Sequence, residues 1–313
     1  MSAAWVAAAT RGRGLVRRSL GPEGTRLLAR APGLGAALAE LGTTPYRRDL
    51  RRGMDLATAR HAVSAVTLWH LRVLAGWCPA LGAGRIAVVV AGYEAENVGG
   101  HLAALDGRDP SPFFELGSMA GVWPAVARTQ SPAEVRRLLA RSPWGDPGTE
   151  TFAGICLALQ LAWARRLAAA APEAAGWAEG AAALIVARAL AAGAPVLPGT
   201  PAGRDASILL GPRWHEAAAP GDLVDVVPRS VRWAVAPVGS DPLAEVDLWQ
   251  AEARWWKRVG TDAATLVVPP RPGPGAVVGA AGLLMADAWR VRAALEVAAR
   301  GGGDVAEVFD AVA

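Results

Sequence analysis

Three prolines set almost one hundred residues apart constrain this chain more than any single motif. Pro45, Pro143 and Pro242 are separated by 98 and 99 residues, each in a turn with a hydroxyl residue close before it: Thr44-Pro45-Tyr46, Ser142-Pro143-Trp144 and Ser240-Asp241-Pro242-Leu243. Behind each turn comes a long Trp-containing segment: ATARHAVSAVTLWHLRVLAGW, FAGICLALQLAWARRLAAAA and PLAEVDLWQAEARWWKRV. A further run then opens on an acid and closes on a glycine. Its copies are Glu94 to Gly107, Glu179 to Gly193 and Asp287 to Gly301, 13, 14 and 14 residues long by offset. An acid near a helix start offsets the positive dipole end, and a glycine just past the end adopts the left-handed conformation that stops it. The unit is short helix, proline turn, long helix, loop, long helix, repeated at about 98 residues. Repeated helix pairs bury their apolar stripes only against one another, so the pattern predicts an all-α chain of three pseudo-repeated lobes, roughly 1–108, 109–193 and 194–313, within one body.

Local signals agree. Helices are predicted over Ala3 to Arg18, Pro22 to Ala31, Leu34 to Leu41, Leu56 to Trp77 and Ala83 to Leu105. In the fourth, Leu56, Ala59, Val63, Val66, His70, Val73 and Trp77 form one stripe at alternating three- and four-residue steps. His70 on that stripe reads as a hydrogen-bonded core or helix-packing histidine rather than a ligand or base. Ser131-Pro132-Ala133-Glu134 is a capping box that starts a helix reaching about Arg141. The β-branched run RIAVVVAGYE, Arg85 to Glu94, suits a buried strand. No Gly-rich loop follows it and the helical period continues, so a helix is expected. Leu197 to Pro228 and Pro269 to Pro274 read as Pro/Gly-rich loops. GPGAVVG, from Gly273, is a poor phosphate loop because Pro272 and Pro274 stiffen it and no acid follows at ribose-binding distance.

Charge and cysteine content exclude several function classes. The net charge is only +4, but residues 1–60 carry eleven Arg and four acids, a local +7. That basic start suits phosphates, lipid headgroups or an acidic protein. It lacks the interleaved aromatics and known motifs of a nucleic-acid binder, and none is expected as partner. Cys78 and Cys156 stand without neighbouring Cys or His at ligand spacing and read as buried thiols, so no metal site is expected. The four histidines form no metal spacing and no Ser/His/Asp order stands out, so neither catalytic residues nor a cofactor are expected. The longest uncharged stretches, Phe152 to Ala164 and Pro274 to Ala286, fall short of the roughly 20 residues of a membrane span. The N-terminus does not look like a signal peptide, and a cytoplasmic location is expected.

The order of these motifs is similar to the C-type central-stalk family of V-type/A-type ATPases, whose eukaryotic members are termed d. WVAAATRGRGLVRR resembles that family's opening aromatic and Arg-rich helix, and ELGTTPYRRDL resembles its short helix, Thr-Pro-Tyr and Leu. The acid-x-x-Asn-aliphatic helix is matched by Glu94, Asn97 and Val98, and its C-terminal form by Asp287, Arg290, Val291 and Arg300-Gly301. The middle copy departs, with Ala182 at the Asn position. The resemblance implies a funnel of three helical lobes and no catalysis. It implies a central-stalk rotor component seated peripherally on the cytoplasmic face of the membrane proteolipid ring (c/K proteolipids). There it receives the D/F shaft and links ATP hydrolysis to ion (proton) transport. On this reading Glu94, Asn97, Asp287 and Arg290 are candidate partner-contact or helix-end residues. The alternative is an unrelated helical scaffold or binding protein that uses its basic N-terminal face.

Overall fold

The computed structural model describes residues 2–109, 112–236, 245–268 and 271–302. The chain is all-α: 72% is helical, with no strand among the described residues. In order the helices are α1 Ala3–Val16, α2 Gly21–Ala29, α3 Leu34–Leu41, α4 Leu56–Gly76, α5 Ala80–Leu105, α6 Trp123–Val126 and α7 Pro132–Ala140. They continue with α8 Phe152–Ala170, α9 Ala175–Ala191, α10 Pro201–Leu210, α11 Leu223–Val226, α12 Arg232–Val235, α13 Glu245–Val267 and α14 Pro274–Ala299. The β-branched run 85–94 lies inside α5, as its helical period requires.

Two compact units emerge: Met1–Ile86 with Trp256–Ala313, and Ala87–Trp255. The first is organised around α14, which packs against α1, α2, α3 and α4. Its first 13 residues, Pro274 to Ala286, carry no charge, and apolar side chains surround it on all faces, as befits a core helix. Leu28, Leu41, Val63, Val291 and Leu295 meet in its core, each fully buried. Burial of a side chain of that size is worth about 1.5–3 kcal/mol. Small residues bring backbones close: a Cβ on Gly12 of α1 would lie 2.9 Å from Ala280 of α14.

The second unit is organised in the same way around α9, which α8, α10 and α12 cover. A separate apolar cluster joins Val98, Leu102, Val126, Val135, Leu139 and Ile155. Two helices of the described residues, Phe152–Ala170 and Pro172–Ala191, reach the length and apolarity of a membrane span. The first does so although its uncharged stretch ends at Ala164, before Arg165 and Arg166. Only 39% and 61% of those windows are buried; the two helices pack on each other, and a core helix meets the same test.

The caps follow the sequence signals. Asp55 Oδ1 accepts from Thr58 N at 2.7 Å to open α4, and Ser131 Oγ accepts from Glu134 N at 3.3 Å to open α7. Gly107, Gly193 and Gly301 all have positive φ, so each closes its helix as the repeat requires. The stretch Leu197 to Pro228 is a correction: it contains α10, not only loop. Its signal was present in Thr200-Pro201, where Thr200 Oγ1 accepts from Gly203 N at 3.0 Å with proline in the first turn.

Candidate functional site

The four singled-out residues stand mid-helix. Glu94 is the fifteenth residue of α5 and Asp287 the fourteenth of α14, so neither caps its own helix. The closing glycines mark helix ends as expected, but the apolar segments before the acids are helical as well. The side chains of Glu94, Asn97 and Asp287 are buried, at 3%, 1% and 2% exposure. A buried carboxylate persists only where hydrogen bonds and charge replace its water.

Both acids meet that demand in the same way. Glu94 Oε1 accepts from the backbone N–H of Gly121 at 2.6 Å and of Trp123 at 2.9 Å, and Oε2 accepts from Trp144 Nε1 at 2.9 Å. Asp287 Oδ1 accepts from Gly21 N at 2.7 Å, and Oδ2 from Leu20 N at 3.1 Å and from the Tyr46 hydroxyl at 2.8 Å. Each acid therefore caps the start of a helix from elsewhere in the chain and holds the aromatic of a proline turn. The turns match in detail: Thr44 Oγ1 and Ser142 Oγ each accept from the aromatic's N–H at 3.2 Å and donate to a helix carbonyl at 2.7 Å. A half-buried arginine attends each acid. Arg290 lies by Asp287, and Arg166 by Glu94 with its guanidinium 4.5 Å from the Trp144 ring centre. Burial lowers the pKa of both guanidiniums, and the facing carboxylate opposes that shift.

Asn97 and Arg290 follow their acids by three residues but act differently. Asn97 clasps the backbone of Phe114, with Nδ2 to its carbonyl at 2.9 Å and Oδ1 from its N–H at 2.7 Å. The Phe114 ring in turn meets Tyr93 edge to face at 4.8 Å. Arg290 occupies the groove left by Gly260, where a Cβ would stand 3.0 Å from its Nη2.

Among the described residues the middle copy shows no such lock on its helix α9. Its acid, Glu179, stands fourteen residues before Gly193, the offset that Asp287 holds to Gly301, and is half-buried with its pKa raised by burial; Gly180 follows it. A Cβ on Gly180 would lie 2.8 Å from Trp233 and 3.0 Å from Trp255, so aromatic rings pack directly on the α9 backbone there. Just before Gly221, the amides of Ala218 and Ala219 are held locally by Asp222 Oδ2 at 3.0 and 2.8 Å. The third proline turn, at Pro242, lies outside the described residues. Gly180→Ala should cost about 1–3 kcal/mol by overpacking, read as a lower urea midpoint at unchanged slope.

Sequence reasoning missed the other half of each lock. Its signal lies in Gly21, Gly121 and Gly221, companions of the prolines at 100-residue intervals. The first two supply amides that the acids hold.

His70 is half-buried in α4 and meets the Trp69 ring edge on at 5.0 Å, a packing role, while its Nδ1 has no hydrogen-bond partner. Its pKa is pulled from 6.5 down to about 4, first by burial and then by Arg18, Arg11 and Arg48. Between pH 6.5 and about 4 the unfolded chain binds a proton that the folded chain refuses. His70 therefore makes stability fall as pH drops through that window and level off below it. His70→Gln should flatten that part of a Tm-against-pH curve relative to the parent; an unchanged curve would contradict the assignment.

Among the described residues no His, Cys, Asp and Glu group is placed to hold a metal ion. Cys78 and Cys156 are free thiols whose pKa burial pushes up to about 11, which makes them poor nucleophiles. No protein-family model matches the chain, and no curated protein matches it in sequence.

Proposed function

We propose that this chain is a non-catalytic coupling component of a rotary V/A-type ATPase, joining the D/F central shaft to the membrane proteolipid ring on its cytoplasmic side. The observation that carries the reading is the paired lock. Glu94 with Trp144 and Asp287 with Tyr46 make the same contact in two copies of one motif order. A torque-bearing adaptor needs helices that do not slide on one another. Buried carboxylates tying helix starts to long helices resist such sliding, because displacement strands three donors and a charge at once. The three-lobe funnel belongs to this proposal, as do proton transport and the peripheral position.

The buried acids act in it as structural ties, and Arg290 is the residue most suited to test contact against structure. In the experiment the purified chain is passed over immobilised D/F shaft and over detergent-solubilised proteolipid ring. Retention on both is expected, with no thermal shift from ATP or NAD. A chain that ignores both partners sinks the proposal.

A further inference from the structure

Several helix ends of the first unit gather in one place. A Cβ on Gly12 of α1 would lie 2.9 Å from Ala280 of α14 and 3.7 Å from Leu74 of α4, so the three helices meet there. Farther along, Asp287 of α14 holds the amides of Leu20 and Gly21, so α1 and α14 run parallel. Toward the start of α1, a Cβ on Gly82 would stand 2.9 Å from the Trp5 ring and 3.0 Å from Cys78, which brings the turn from α4 into α5 beside Trp5. Helix α13 runs the other way along α14: its Gly260 faces Arg290, and its Ala263, Leu266 and Val267 crowd Gly279. One end of the unit is thus built from the starts of α1 and α14, the close of α13 and the α4–α5 turn.

Residues 2–10, 73–84, 263–270 and 272–286 contain no charged side chain, and beside the thiol of Cys78 their polar side chains are Ser2, Thr10 and Thr265. Val6, Trp77, Leu81 and Val268 nevertheless stand 46% to 78% exposed at this end, and Trp5 is half-buried. Large apolar side chains held open to water in one place mark a surface that a partner covers. A protein partner brings about one hydrogen bond per 100–200 Å² of interface, and this end has almost no side chain to answer it. The hydrocarbon edge of a bilayer asks for none, and Trp is favoured at that depth. Charge selects the kind of bilayer. Arg11, Arg72, Arg85 and Arg271 border the uncharged stretches. The bordering acids are Asp262, paired with Arg258 at 2.9 Å, and Asp287, held in its lock. The first unit holds nineteen Lys and Arg against ten acids, a net +9, whereas the second holds thirteen against eighteen, a net −5. A unit so basic complements an anionic surface.

We propose that this end of the first unit inserts into the surface of an anionic phospholipid bilayer, with Val6, Trp77, Leu81 and Val268 among the upper acyl chains and exposed Arg271 at the headgroups. Insertion of this kind reaches about 5–10 Å and strengthens with both the apolar area covered and the anionic charge of the lipid. The inference goes beyond the rotary reading, which concerns shaft and ring proteins. Protein-free vesicles contain neither, so a failure to bind lipid leaves that reading standing, and a failure to bind shaft and ring leaves lipid insertion standing.

The full chain is floated with protein-free vesicles of phosphatidylglycerol mixed into phosphatidylcholine and, separately, with vesicles of pure phosphatidylcholine. Binding to the mixed vesicles should be stronger by about tenfold or more, and should weaken yet persist as salt is raised. The double variant Trp77→Ser with Leu81→Ser should lower it by about tenfold or more. Ile208→Ser, which changes an exposed apolar side chain of the second unit, should stay within about twofold of the parent. Arg271→Gln should weaken binding about fivefold at low salt. Lipids brominated along their upper acyl chains should quench the Trp emission of the parent and quench that of the double variant less. Far-ultraviolet circular dichroism verifies that each variant is folded. The proposal is overturned by no binding to the mixed vesicles, by equal binding to both kinds, by binding that the double variant keeps in full, or by an equal fall in Ile208→Ser. A dimer in sedimentation velocity that the double variant dissolves would assign this end to a second copy of the chain and overturn it as well.

Discussion

Glu94→Ala should destabilise the second unit by about 3–5 kcal/mol, the largest effect expected of any single truncation in it. The substitution strands the amides of Gly121 and Trp123 and the indole N–H of Trp144. It also leaves half-buried Arg166 without the carboxylate that offsets its burial. Glu94→Gln keeps one oxygen for the two amides but presents an NH2 group or a misplaced oxygen to Trp144. Its cost should be lower, about 1.5–3 kcal/mol, the value of a hydrogen bond to a charged group. Urea titration followed by Trp fluorescence and by helix circular dichroism measures both. A Glu94→Ala variant within about 0.5 kcal/mol of the parent, the range of an ordinary surface change, would refute the lock.

The second large effect is at Asp287, where Asp287→Ala should cost a similar amount, about 3–5 kcal/mol, in the first unit. The partners here are Leu20, Gly21 and Tyr46, with Arg290 as the charge left over. A double-mutant cycle isolates one bond of the set. Tyr46→Phe removes only the hydroxyl, and its cost of about 1.5–3 kcal/mol should largely vanish when Asp287 is already Ala. Hydrogen exchange gives an independent reading: the amides of Leu20 and Gly21 should exchange much faster in Asp287→Ala than in the parent. Additive costs with unchanged exchange would show that Tyr46 and Asp287 are neighbours without a coupled bond.

The helices are legible in the sequence because their signals are local. Thr44-Pro45, Ser131-Pro132 and the glycines at 107, 193 and 301 fix starts and stops within a few residues, where backbone sterics and caps decide. The repeat is legible too, and it brings Glu94 and Asp287 forward together. What each acid does is not. A carboxylate seen in sequence has no declared partner, and Gly121 and Trp144 lie 27 and 50 residues from Glu94. Placing an acid at its own helix start follows from the dipole, yet the helix already runs through Ala83 to Gly92, apolar but for Arg85. α10 is lost for the opposite reason. The prolines and glycines around it look like loop, and composition outweighs the cap at Thr200. His70 does lie on a packed stripe, but the guanidiniums around it come from the N-terminal segment and the Pro45 turn, which no stripe along α4 reveals.

The two locks differ in how far along the chain their partners stand. Glu94 is made 27 to 50 residues before the groups it holds. Asp287 is made 241 to 267 residues after its own. The second unit can therefore close soon after its residues leave the ribosome, while the first must wait for almost the whole chain. Loop-closure entropy rises only slowly with that separation, so the finished contact need be no weaker. The cost falls on time: throughout synthesis the amides of Leu20 and Gly21, the Tyr46 hydroxyl and the apolar faces of α1 to α4 are without α14. Asp287 is thus the latch of the last step of assembly, and a chain cut short before α14 would carry a completed second unit beside an open first one.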